Sequence, residues 1–574
     1  MAVIFGTNLA DIVQGTAGND RLSGWDSLNG PGDFGPANDH DNLYGGSGSD
    51  LIDGGAGNDY LADTSGANTL NGGAGDDTIE AAFGTGNVVA GGAGIDLLSV
   101  NVQASGALIF ALGDPSVETV VRGLRIAGIE AVSIYASEFA DSITGGAWGD
   151  NILGAAGNDV LAGGGGDDWL SGGGDRDTLL GGAGNDTFVL YDALGADSID
   201  GGDGIDLLEF NTNAIRRNVT LVLSDSFVMP DGSTVTGVER IDYDGTLGVD
   251  LITGGAHADI INGQGGADQL SGLGGNDTLS GNGASRSGPV AVVLLGGAGN
   301  DFISYSVFSG GERIDGGAGI DVLEFDLEGS GVVFAAASLR GSWVMANGAT
   351  LSGFERVDMF ATKGADRVSG GSFGDTIVGL LGNDTLYGGD GGDELYGGGG
   401  NERLYGGAGN DRLFCADGSN AVFGGTGDDD IEVWGSGAQR IFGEDGADRI
   451  VGSDGADRIN GGAGQDMLRG NGGADRFEFT KAPVAGEADV IGDFGVGSDT
   501  IALGARAFGV AKGALDPADF VRGVVALEGG DRILYDRATG QIWHDADGSG
   551  AADAVLFATV IAGTDLTAAD FVGI

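Results

Sequence analysis

Aspartate recurs at every ninth residue between Ala136 and Val189, and this spacing is the feature of the sequence that most directly implies chemistry. Carboxylates are preferred ligands of hard cations such as Ca²⁺. The first four positions of the nine-residue unit are rich in glycine, which permits positive φ and lets backbone carbonyls turn toward a bound ion. A merely solvated acidic surface would not keep one phase over six consecutive units. The spacing therefore predicts calcium sites, with position six of each unit as the side-chain ligand.

The predicted metal ligands are the position-six aspartates of all such runs, and their number predicts many calcium ions per chain. In the run of six units they are Asp141, Asp150, Asp159, Asp168, Asp177 and Asp186. A second run of 13 units, from Ala361 to Glu478, supplies Asp366, Asp375, Asp384, Asp393, Asp411, Asp429, Asp448, Asp457, Asp466 and Asp475. Shorter runs and single copies supply Asp11, Asp20, Asp41, Asp50, Asp59, Asp77, Asp250, Asp259, Asp268, Asp277 and Asp301.

The last three positions of each unit predict a short β-strand. Side chains alternate along a strand, so only position eight faces the interior. In the run of six units that position holds Ile143, Ile152, Leu161, Leu170, Leu179 and Phe188. One unit buries a single apolar side chain and cannot be stable alone, whereas stacked units bury a continuous core and set their carboxylates in rows.

The composition also calls for a cation. The chain of 574 residues contains 121 glycines, and 85 acidic residues against 26 basic ones give a formal charge of −59. Such a chain repels itself unless cations neutralise it, and it repels nucleic acid and anionic membrane surfaces, so neither is an expected partner. No apolar stretch is long enough to predict a membrane span, and the lone Cys415 rules out an internal disulfide.

Several units match a known nonapeptide, GGxGxDxUx, in which U is a large apolar residue. Clear copies are GGAGNDYLA (Gly54–Ala62), GGAGNDTFV (Gly181–Val189) and GGAGNDRLF (Gly406–Phe414). The chain therefore resembles the RTX (repeats-in-toxin) calcium-binding proteins over most of its length. The resemblance implies an all-β, right-handed parallel β-roll in which two nonapeptides make one coil. It also implies that each Ca²⁺ lies between a loop and the loop two units later, held by backbone carbonyls and both position-six aspartates.

Three longer stretches interrupt the arrays and resemble one another. Each contains the motifs Gly-Ile-Asp and Gly-x-Glu, which begin at Gly94 and Gly128, at Gly204 and Gly237, and at Gly319 and Gly353. These inserts either form larger coils of the same solenoid or present their loops as a binding face, for which the sequence names no ligand.

The repeats and inserts predict five segments. Residues 1–135, 136–244 and 245–360 each combine an array with an insert, 361–478 form one long array, and 479–574 form a C-terminal β cap and secretion-signal segment. A cap is needed because the open end of a β-roll exposes core and strand edges. Its sequence predicts a hairpin with a turn near Gly540. The stretch DADGSGAAD (545–553) has acids at EF-hand offsets, but Leu556 replaces the bidentate Glu, so a carboxylate turn is predicted instead.

The two ends of the chain predict the route of export. The final LTAADFVGI resembles the uncleaved C-terminal signal of type I secretion substrates, and the N-terminal MAVIFGTNLADIV lacks the basic and long apolar regions of a cleavable signal peptide. We therefore expect the type I secretion machinery of a Gram-negative cell to export the protein to the outside. Calcium binding there would drive folding, since the carboxylate rows repel one another without it.

The sequence predicts no enzyme. No HExxH motif is present, which excludes a zinc protease of that type. The stretch Gly370–Gly374 satisfies GxSxG but occupies a nonapeptide loop, whereas a nucleophile elbow lies between a strand and a helix. We expect a secreted, non-catalytic calcium-binding protein with a structural, adhesive or matrix role, in contact with an extracellular glycan or another surface protein. The alternative is an extracellular enzyme that acts on acidic polysaccharide with its site in the inserts.

One row of loops in the long array departs from the pattern. Glu402 and then Asn420 replace the aspartate, and the ten-residue unit around Gln439 has no acid. We expect calcium to fill the neighbouring row around Asp411 and to be weak or absent beside Asn420. The defective row carries outward aromatic residues on four successive coils, which predict either ordinary stacking on a β ladder or a sugar- or partner-binding stripe. They are Tyr387, Tyr405, Phe423 and Phe442.

Overall fold

The chain forms two compact, nearly all-β units, Met1–Asp277 and Thr278–Ile574. The structure, a computed structural model, describes residues 3–5, 12–15, 20–23, 40–102, 106–190, 195–212, 218–281, 292–306, 311–326, 343–344, 349–495, 497–527, 529–548 and 554–574. Within these ranges no helix is long and apolar enough to cross a membrane.

Two consecutive nonapeptides make one coil in both units. Strands pair in parallel with the strand two nonapeptides later, as in the series Ile143, Leu161 and Leu179. The intervening nonapeptides build a second sheet in the same way. The predicted parallel β-roll is therefore confirmed, and position eight of each unit forms its core, with Leu161 and Leu179 fully buried.

The strands of the first unit fall into several sheets. One contains Val3–Phe5, Arg21–Ser23, Leu51–Ala56, Thr69–Ala74, Val88–Ala93, Thr119–Val121 and Leu124–Ala127. The next contains Ile109–Ala111, Ser142–Thr144, Val160–Gly165, Thr178–Ala183, Ser198–Asp203, Ser226–Val228 and Thr234–Thr236, followed by Thr220–Val222, Leu251–Thr253 and Gln269–Gly274 in another. Across the core lie Ile12–Gln14, Asn42–Tyr44, Tyr60–Asp63, Thr78–Ala81, Leu97–Asn101, Ala131–Tyr135, Asn151–Leu153, Trp169–Ser171, Thr187–Leu190, Leu207–Asn211, Arg240–Asp244 and Ile260–Asn262.

The second unit repeats this design and adds the cap. One sheet contains Arg367–Ser369, Thr385–Asp390, Arg403–Ala408, Ala421–Thr426, Arg440–Asp445, Arg458–Ala463, Arg476–Phe479, Thr500–Leu503, Phe571–Gly573 and Gly513–Ala514. Before it in sequence come Val293–Ala298, Arg313–Ala318, Trp343–Val344 and Thr350–Ser352. The facing sheet contains Thr278–Ser280, Phe302–Tyr305, Val322–Asp326, Arg356–Phe360, Thr376–Val378, Glu394–Tyr396, Arg412–Cys415, Asp430–Val433, Arg449–Val451, Met467–Arg469, Asp489–Ile491, Phe520–Arg522, Ile533–Asp536, Gln541–His544 and Val555–Thr559. The helices are Ala505–Phe508 and the 3₁₀ turns Pro517–Asp519 and Ala568–Asp570.

Each insert is a larger coil of the same solenoid, the first of the two alternatives. In the first insert, Leu124–Ala127 pairs antiparallel with Thr119–Val121 and parallel with Val88–Ala93, so a hairpin returns the chain to the sheet. The strand Ala131–Tyr135 then continues the facing sheet beside Leu97–Asn101. The other two inserts form the same hairpins from Ser226–Val228 with Thr234–Thr236 and from Trp343–Val344 with Thr350–Ser352.

The C-terminal segment closes the β-roll, as predicted. Thr500–Leu503 and Asp489–Ile491 continue the two sheets of the long array. The hairpin Ile533–Asp536 with Gln541–His544 has its turn at Gly540, whose φ is +79°. Phe571–Gly573, at the C-terminus, pairs in parallel with Thr500–Leu503 and therefore belongs to the cap.

Coil stacking places a stringent demand on position two of the loop. At Gly173 φ is +91°, and a Cβ would lie 2.0 Å from the carbonyl oxygen of Ala155 one coil earlier. At the adjacent Gly174 a Cβ would have no heavy atom within 4 Å. Glycine at position two thus avoids both backbone strain and close coil contact. Six loops nevertheless hold another residue there with positive φ, namely Ala155, Gln264, Leu273, Leu380, Glu444 and Asn471.

We predict that Gly173→Ala lowers the free energy of unfolding of calcium-loaded protein by about 1–3 kcal/mol, the cost of one strained backbone position. Gly174→Ala is the matched control and should change it by less than about 0.5 kcal/mol. Urea denaturation followed by circular dichroism measures both, and equal effects of the two substitutions would contradict the stacking argument.

Candidate calcium sites

The position-six carboxylates are buried within the loops. Asp159 and Asp177 are each 1% exposed. One oxygen of each accepts a backbone N–H from position six one coil earlier, since Asp141 N–H donates to Asp159 Oδ1 at 2.7 Å and Asp159 N–H donates to Asp177 Oδ1 at 2.8 Å. The long array has the same contact from Asp393 to Asp411 at 2.8 Å. Each row is thus a ladder of hydrogen bonds between successive coils.

The second oxygen of most of these carboxylates has no hydrogen-bond donor in the part of the chain that the structure describes. Among the predicted ligands, these buried Oδ2 atoms belong to Asp50, Asp77, Asp159, Asp168, Asp177, Asp186, Asp268, Asp384, Asp393, Asp411, Asp429, Asp448, Asp466 and Asp475. A buried carboxylate oxygen without a partner is costly, and a cation is the group that can satisfy it. Asp20, Asp41, Asp59, Asp277 and Asp301 are buried as well, whereas Asp11 lies outside the described residues.

Except at Asp50, whose Gly45 faces Asp63 Oδ2, these oxygens face the first glycine of their own loop. A Cβ on Gly181 would lie 2.2 Å from Asp186 Oδ2 and 2.4 Å from the carbonyl oxygen of Gly201 in the next coil. A Cβ on Gly406 would lie 2.3 Å from Asp411 Oδ2. Carboxylate and carbonyl oxygens therefore converge on a space that any side chain would fill, which explains glycine at position one.

The donor set consists of oxygen atoms. Within the described ranges, no three or more His, Cys, Asp or Glu side chains are grouped to hold a metal ion, so further ligands must come from the backbone. Carboxylates combined with backbone carbonyls are the ligands that Ca²⁺ prefers. The residues of these loops fit the cation that the repeat implies.

Burial within a row of like charges raises the pKa of many of these carboxyl groups. Burial raises the pKa of Asp168 to about 7, and the carboxylates of Asp150 and Asp186 add to the rise. The backbone N–H of Asp150 offsets part of it. Burial likewise raises the pKa of Asp411 to about 7. Near neutral pH such carboxyl groups are therefore partly protonated, and a cation that binds to them would displace their protons.

Seven predicted ligands differ, because a backbone N–H of their own loop satisfies Oδ2 as well. In each, position two of the same loop donates to Oδ2, as from Gly146 to Asp150 at 2.5 Å. Oδ1 of Asp150 accepts instead from Val132 in the preceding insert. The seven are Asp141, Asp150, Asp250, Asp259, Asp366, Asp375 and Asp457. The first six are the first carboxylates of the rows that follow the inserts. Each of these rows therefore starts with a locked carboxylate, by which we mean one whose Oδ2 accepts a hydrogen bond from its own loop.

Amides replace the carboxylates at Asn420 and Gln439, and Gln439 holds position six of the ten-residue unit. Their oxygens continue the ladder, since Glu402 N–H donates to Asn420 Oδ1 at 2.8 Å and Asn420 N–H donates to Gln439 Oε1 at 2.9 Å. Their NH₂ groups donate to loop carbonyls, Asn420 Nδ2 to Ala416 at 3.2 Å and Gln439 Nε2 to Gly437 at 2.8 Å. A neutral NH₂ group therefore donates a hydrogen bond to the carbonyl oxygens that would otherwise coordinate a cation.

The first unit contains the same replacement of carboxylates by amides. Asp50 N–H donates to Asn68 Oδ1, and Asn68 N–H donates to Asn87 Oδ1 at 2.7 Å. Their NH₂ groups again reach loop carbonyls, from Asn68 to Ser65 and from Asn87 to Ala82. Sequence reasoning missed this pair, although its spacing of 18 and then 19 residues after Asp50 was a usable signal.

Glu402 keeps the negative charge of the aspartate that it replaces but places it at a different point of the loop. Its Oε2 accepts the N–H of Asp384 at 2.6 Å, as an aspartate would, and burial raises its pKa to about 7. Its unpartnered Oε1 lies 2.5 Å from a Cβ position on Gly400, the fourth residue of the loop. The first residue, Gly397, faces only its Cβ and Cγ and the sulfur of Cys415. One added methylene thus displaces the free oxygen along the loop.

The structure adds ligand candidates in the inserts that sequence reasoning missed. Asp96 N–H donates to Glu130 Oε2 at 2.9 Å, and Asp96 Oδ2 is buried with no hydrogen-bond partner in the described part of the chain. A Cβ on Gly91 would lie 2.5 Å from Asp96 Oδ2 and 1.7 Å from the carbonyl oxygen of Gly128. In each insert, the loop with the Gly-Ile-Asp motif and the loop with the Gly-x-Glu motif therefore form one pair of stacked loops. The equivalent pairs are Asp206 with Glu239 and Asp321 with Glu355.

Asp489 and Asp499 extend the two rows into the cap and were also missed. They accept N–H bonds from Asp466 at 3.2 Å and Asp475 at 3.1 Å. Burial, together with the Asp466 carboxylate, raises the pKa of Asp489 to about 9. A Gly-x-Gly-x-Asp pattern ending at Asp499 was the available signal.

The aromatic residues of the defective row stack on one another. Ring centroids lie 4.7 Å apart for Tyr387 and Tyr405, 4.8 Å for Tyr405 and Phe423, and 5.1 Å for Phe423 and Phe442, with planes within 6° of parallel. Because the ring faces cover each other, the column presents ring edges to solvent. Ordinary ladder stacking, the first alternative, therefore describes the contacts between these rings.

We predict that Asn420→Asp with Gln439→Asp increases the number of calcium ions bound per chain, because it replaces two amide donors by buried carboxylates. Asp411→Asn, in the intact row, is the matched control and should decrease that number. Equilibrium dialysis with metal analysis measures both. Unchanged stoichiometry in both variants would contradict the assignment of the rows.

We also predict that the calcium-free protein is more stable at acid than at neutral pH. The raised folded-state pKa values contribute stability that is fully present below the ordinary value of 3.8 and is lost as pH rises through about 7. Circular dichroism during urea titration in chelator at pH 5 and pH 8 tests this, with an unfolding transition expected at pH 5 and no folded signal to lose at pH 8. Greater stability at pH 8 would show that the carboxylates are not buried together without metal.

Comparison with known proteins agrees with this geometry. A family model described as the RTX calcium-binding nonapeptide repeat matches residues 5–27, 37–62, 54–88, 153–188, 244–282, 292–305, 360–395, 396–431 and 435–477. No curated protein matches the chain. Among solved structures, the extracellular lipase LipA of Serratia marcescens aligns at 13% identity with a TM-score of 0.17, over 65% of this chain and 45% of the lipase. The chain thus spans less than half of that lipase. Because the matched segments hold the buried carboxylates of both units, the chain belongs to the family of RTX calcium-binding repeat proteins.

Proposed function

We propose that this is a secreted, non-catalytic calcium-binding protein that folds on extracellular calcium and serves a structural, adhesive or matrix role outside the cell. The observation that carries the proposal is the set of buried carboxylate oxygens that have no donor among the described residues, which recur in both units. Its calcium ligands are the position-six carboxylates named above, except for the Oδ2 atoms that accept a hydrogen bond from their own loop. Since these groups repel one another until cations bind, calcium binding and folding are one process.

The C-terminal segment supports type I export before folding. Leu566 and Phe571 are 0% and 1% exposed, and Phe571–Gly573 is a strand of the cap. A secretion signal built into the cap is accessible only while the chain is unfolded. Low cytosolic calcium would keep it so, and extracellular calcium would then close the cap.

The geometry of the inserts favours a structural role over the alternative enzyme. A cleft of about 300 Å³ beside the first insert is lined by Asp114 and Glu130. Glu130 accepts the N–H of Asp96, and the Ser116 hydroxyl and N–H lower the pKa of Asp114, whereas a general acid needs a raised one. The GxSxG serine, Ser372, lies in a loop before the strand Thr376–Val378, without the helix that a nucleophile elbow requires.

We predict that chelation at pH 8 abolishes the β-sheet signal in circular dichroism and that calcium restores it, with magnesium as the control ion. A full β signal in chelator would contradict calcium-dependent folding. The non-catalytic assignment is tested separately by incubating calcium-loaded protein with alginate and polygalacturonate. Release of new reducing ends or unsaturated products would establish the enzyme instead.

A further inference from the structure

The outer side of one sheet in the second unit has a charge opposite to that of the chain. Its position-seven column runs through seven strands paired in register and contains five arginines and no acid. In order, the column is Arg367, Thr385, Arg403, Ala421, Arg440, Arg458 and Arg476. We call this column, with the adjoining aromatic stack, the arginine face. In a chain of 26 basic and 85 acidic residues, such a concentration of positive charge is a distinct surface feature.

The arginines differ in how they are held. Arg458 and Arg476 share the buried carboxylate of Glu478 at 2.5 and 3.0 Å. Arg367 lies over the ring of Tyr387, with its guanidinium carbon 4.7 Å from the ring centroid. Within the described residues, the exposed Arg403 and Arg440 form no ion pair. Their donors are thus available to a partner.

The facing sheet provides the contrast. Its arginines at the same position of the repeat are neutralised on their own sheet, Arg412 by Glu394 at 2.9 Å and Arg449 by Asp430 at 2.5 Å. Apart from Glu478, the acids on the strands of the arginine face lie at or next to the strand ends, as do Asp390 and Asp445. Among the described arginines at position seven of the long array, those without an ion pair therefore lie on the arginine face.

The spacing of the charges fits a linear polyanion. Arg367, Arg403 and Arg440 lie two strands apart in succession, or roughly 10 Å at the usual strand separation. A guanidinium fork binds a planar carboxylate through two parallel hydrogen bonds. The neighbouring hydroxyls of Tyr387 and Tyr405 add polar groups beside this line of charge.

The aromatic stack distinguishes among polyanions. Single-stranded nucleic acid binds by stacking its bases on exposed aromatic faces, but here those faces cover each other at 4.7 to 5.1 Å. The large negative charge of the chain also opposes the dense phosphates of duplex DNA. A polysaccharide with one carboxylate per sugar carries a lower charge density and hydroxyls that can bond to the tyrosines.

We propose that the arginine face binds an extended uronic-acid polysaccharide along the coil axis, with Arg403 and Arg440 as its main carboxylate contacts. This deepens the proposed function, on which it rests, by naming the chemical class of the extracellular partner. Binding by these arginines is distinct from calcium bridging between carboxylates, which would not depend on arginine.

Immobilised oligogalacturonate tests the proposal, with full-length, calcium-loaded protein in a biosensor assay. R403Q/R440Q should weaken binding by about tenfold or more, since two charge-assisted contacts are lost. The matched control, R412Q/R449Q, removes the same charge from the facing sheet and should weaken binding by less than about twofold. Fully methyl-esterified oligogalacturonate should not bind.

Several outcomes would overturn the proposal. These are equal loss in the two double variants, equal binding of the methyl ester, tighter binding of single-stranded or duplex DNA, or calcium-loaded dimers that R403Q/R440Q dissociates in sedimentation velocity. Circular dichroism of each variant with and without calcium separates this test from the proposed function. If the wild-type protein folds on calcium but does not bind oligogalacturonate, the binding proposal alone is overturned. If it does not fold on calcium, the proposed function is overturned.

Discussion

The structure depends on the burial of carboxylates that stack above one another, one coil apart. Each coil satisfies one oxygen with a backbone N–H and turns the other toward loop carbonyls, which carry the same sign of partial charge. Such an arrangement is unfavourable without a cation, since buried charges need a partner of opposite sign. The glycines at position one follow from this constraint, because oxygen atoms of the site and of the next coil occupy the space of their side chains.

The rows solve this electrostatic problem in three ways. Most carboxylates leave an oxygen for a cation, those that open a row after an insert are locked by their own loop, and four positions use neutral amides. Because the stability of a solenoid is close to a sum of coil and neighbour terms, each device acts locally. Asp457 is locked by Ser453 directly after Gln439, so the interrupted row restarts in the same way that rows start after inserts.

The exterior of the β-roll is free to vary because the core and loops carry the fold. Position eight must be apolar and position six must bond to the next coil, but positions seven and nine face outward in most coils, with exceptions such as the buried Ser171 and Val189. The long array uses them for an arginine column beside stacked aromatic rings, whereas its facing sheet pairs arginines with acids. Calcium in the loops would neutralise much of the surrounding negative charge, so such a face can act at short range.

The sequence by itself determined the metal, the two-nonapeptide coil and the core, because a strict nine-residue phase gives each position one direction relative to the coil axis. Only the tertiary structure decided which carboxylates have partners. Asp96 meets Glu130 across a whole insert, Ser137 locks Asp141, and Gln439 keeps position six although its unit has an extra residue. In each case the deciding hydrogen bond joins neighbouring coils or depends on the direction of one loop N–H. Neither is expressed in linear spacing, since inserts of variable length separate groups that stacking brings together.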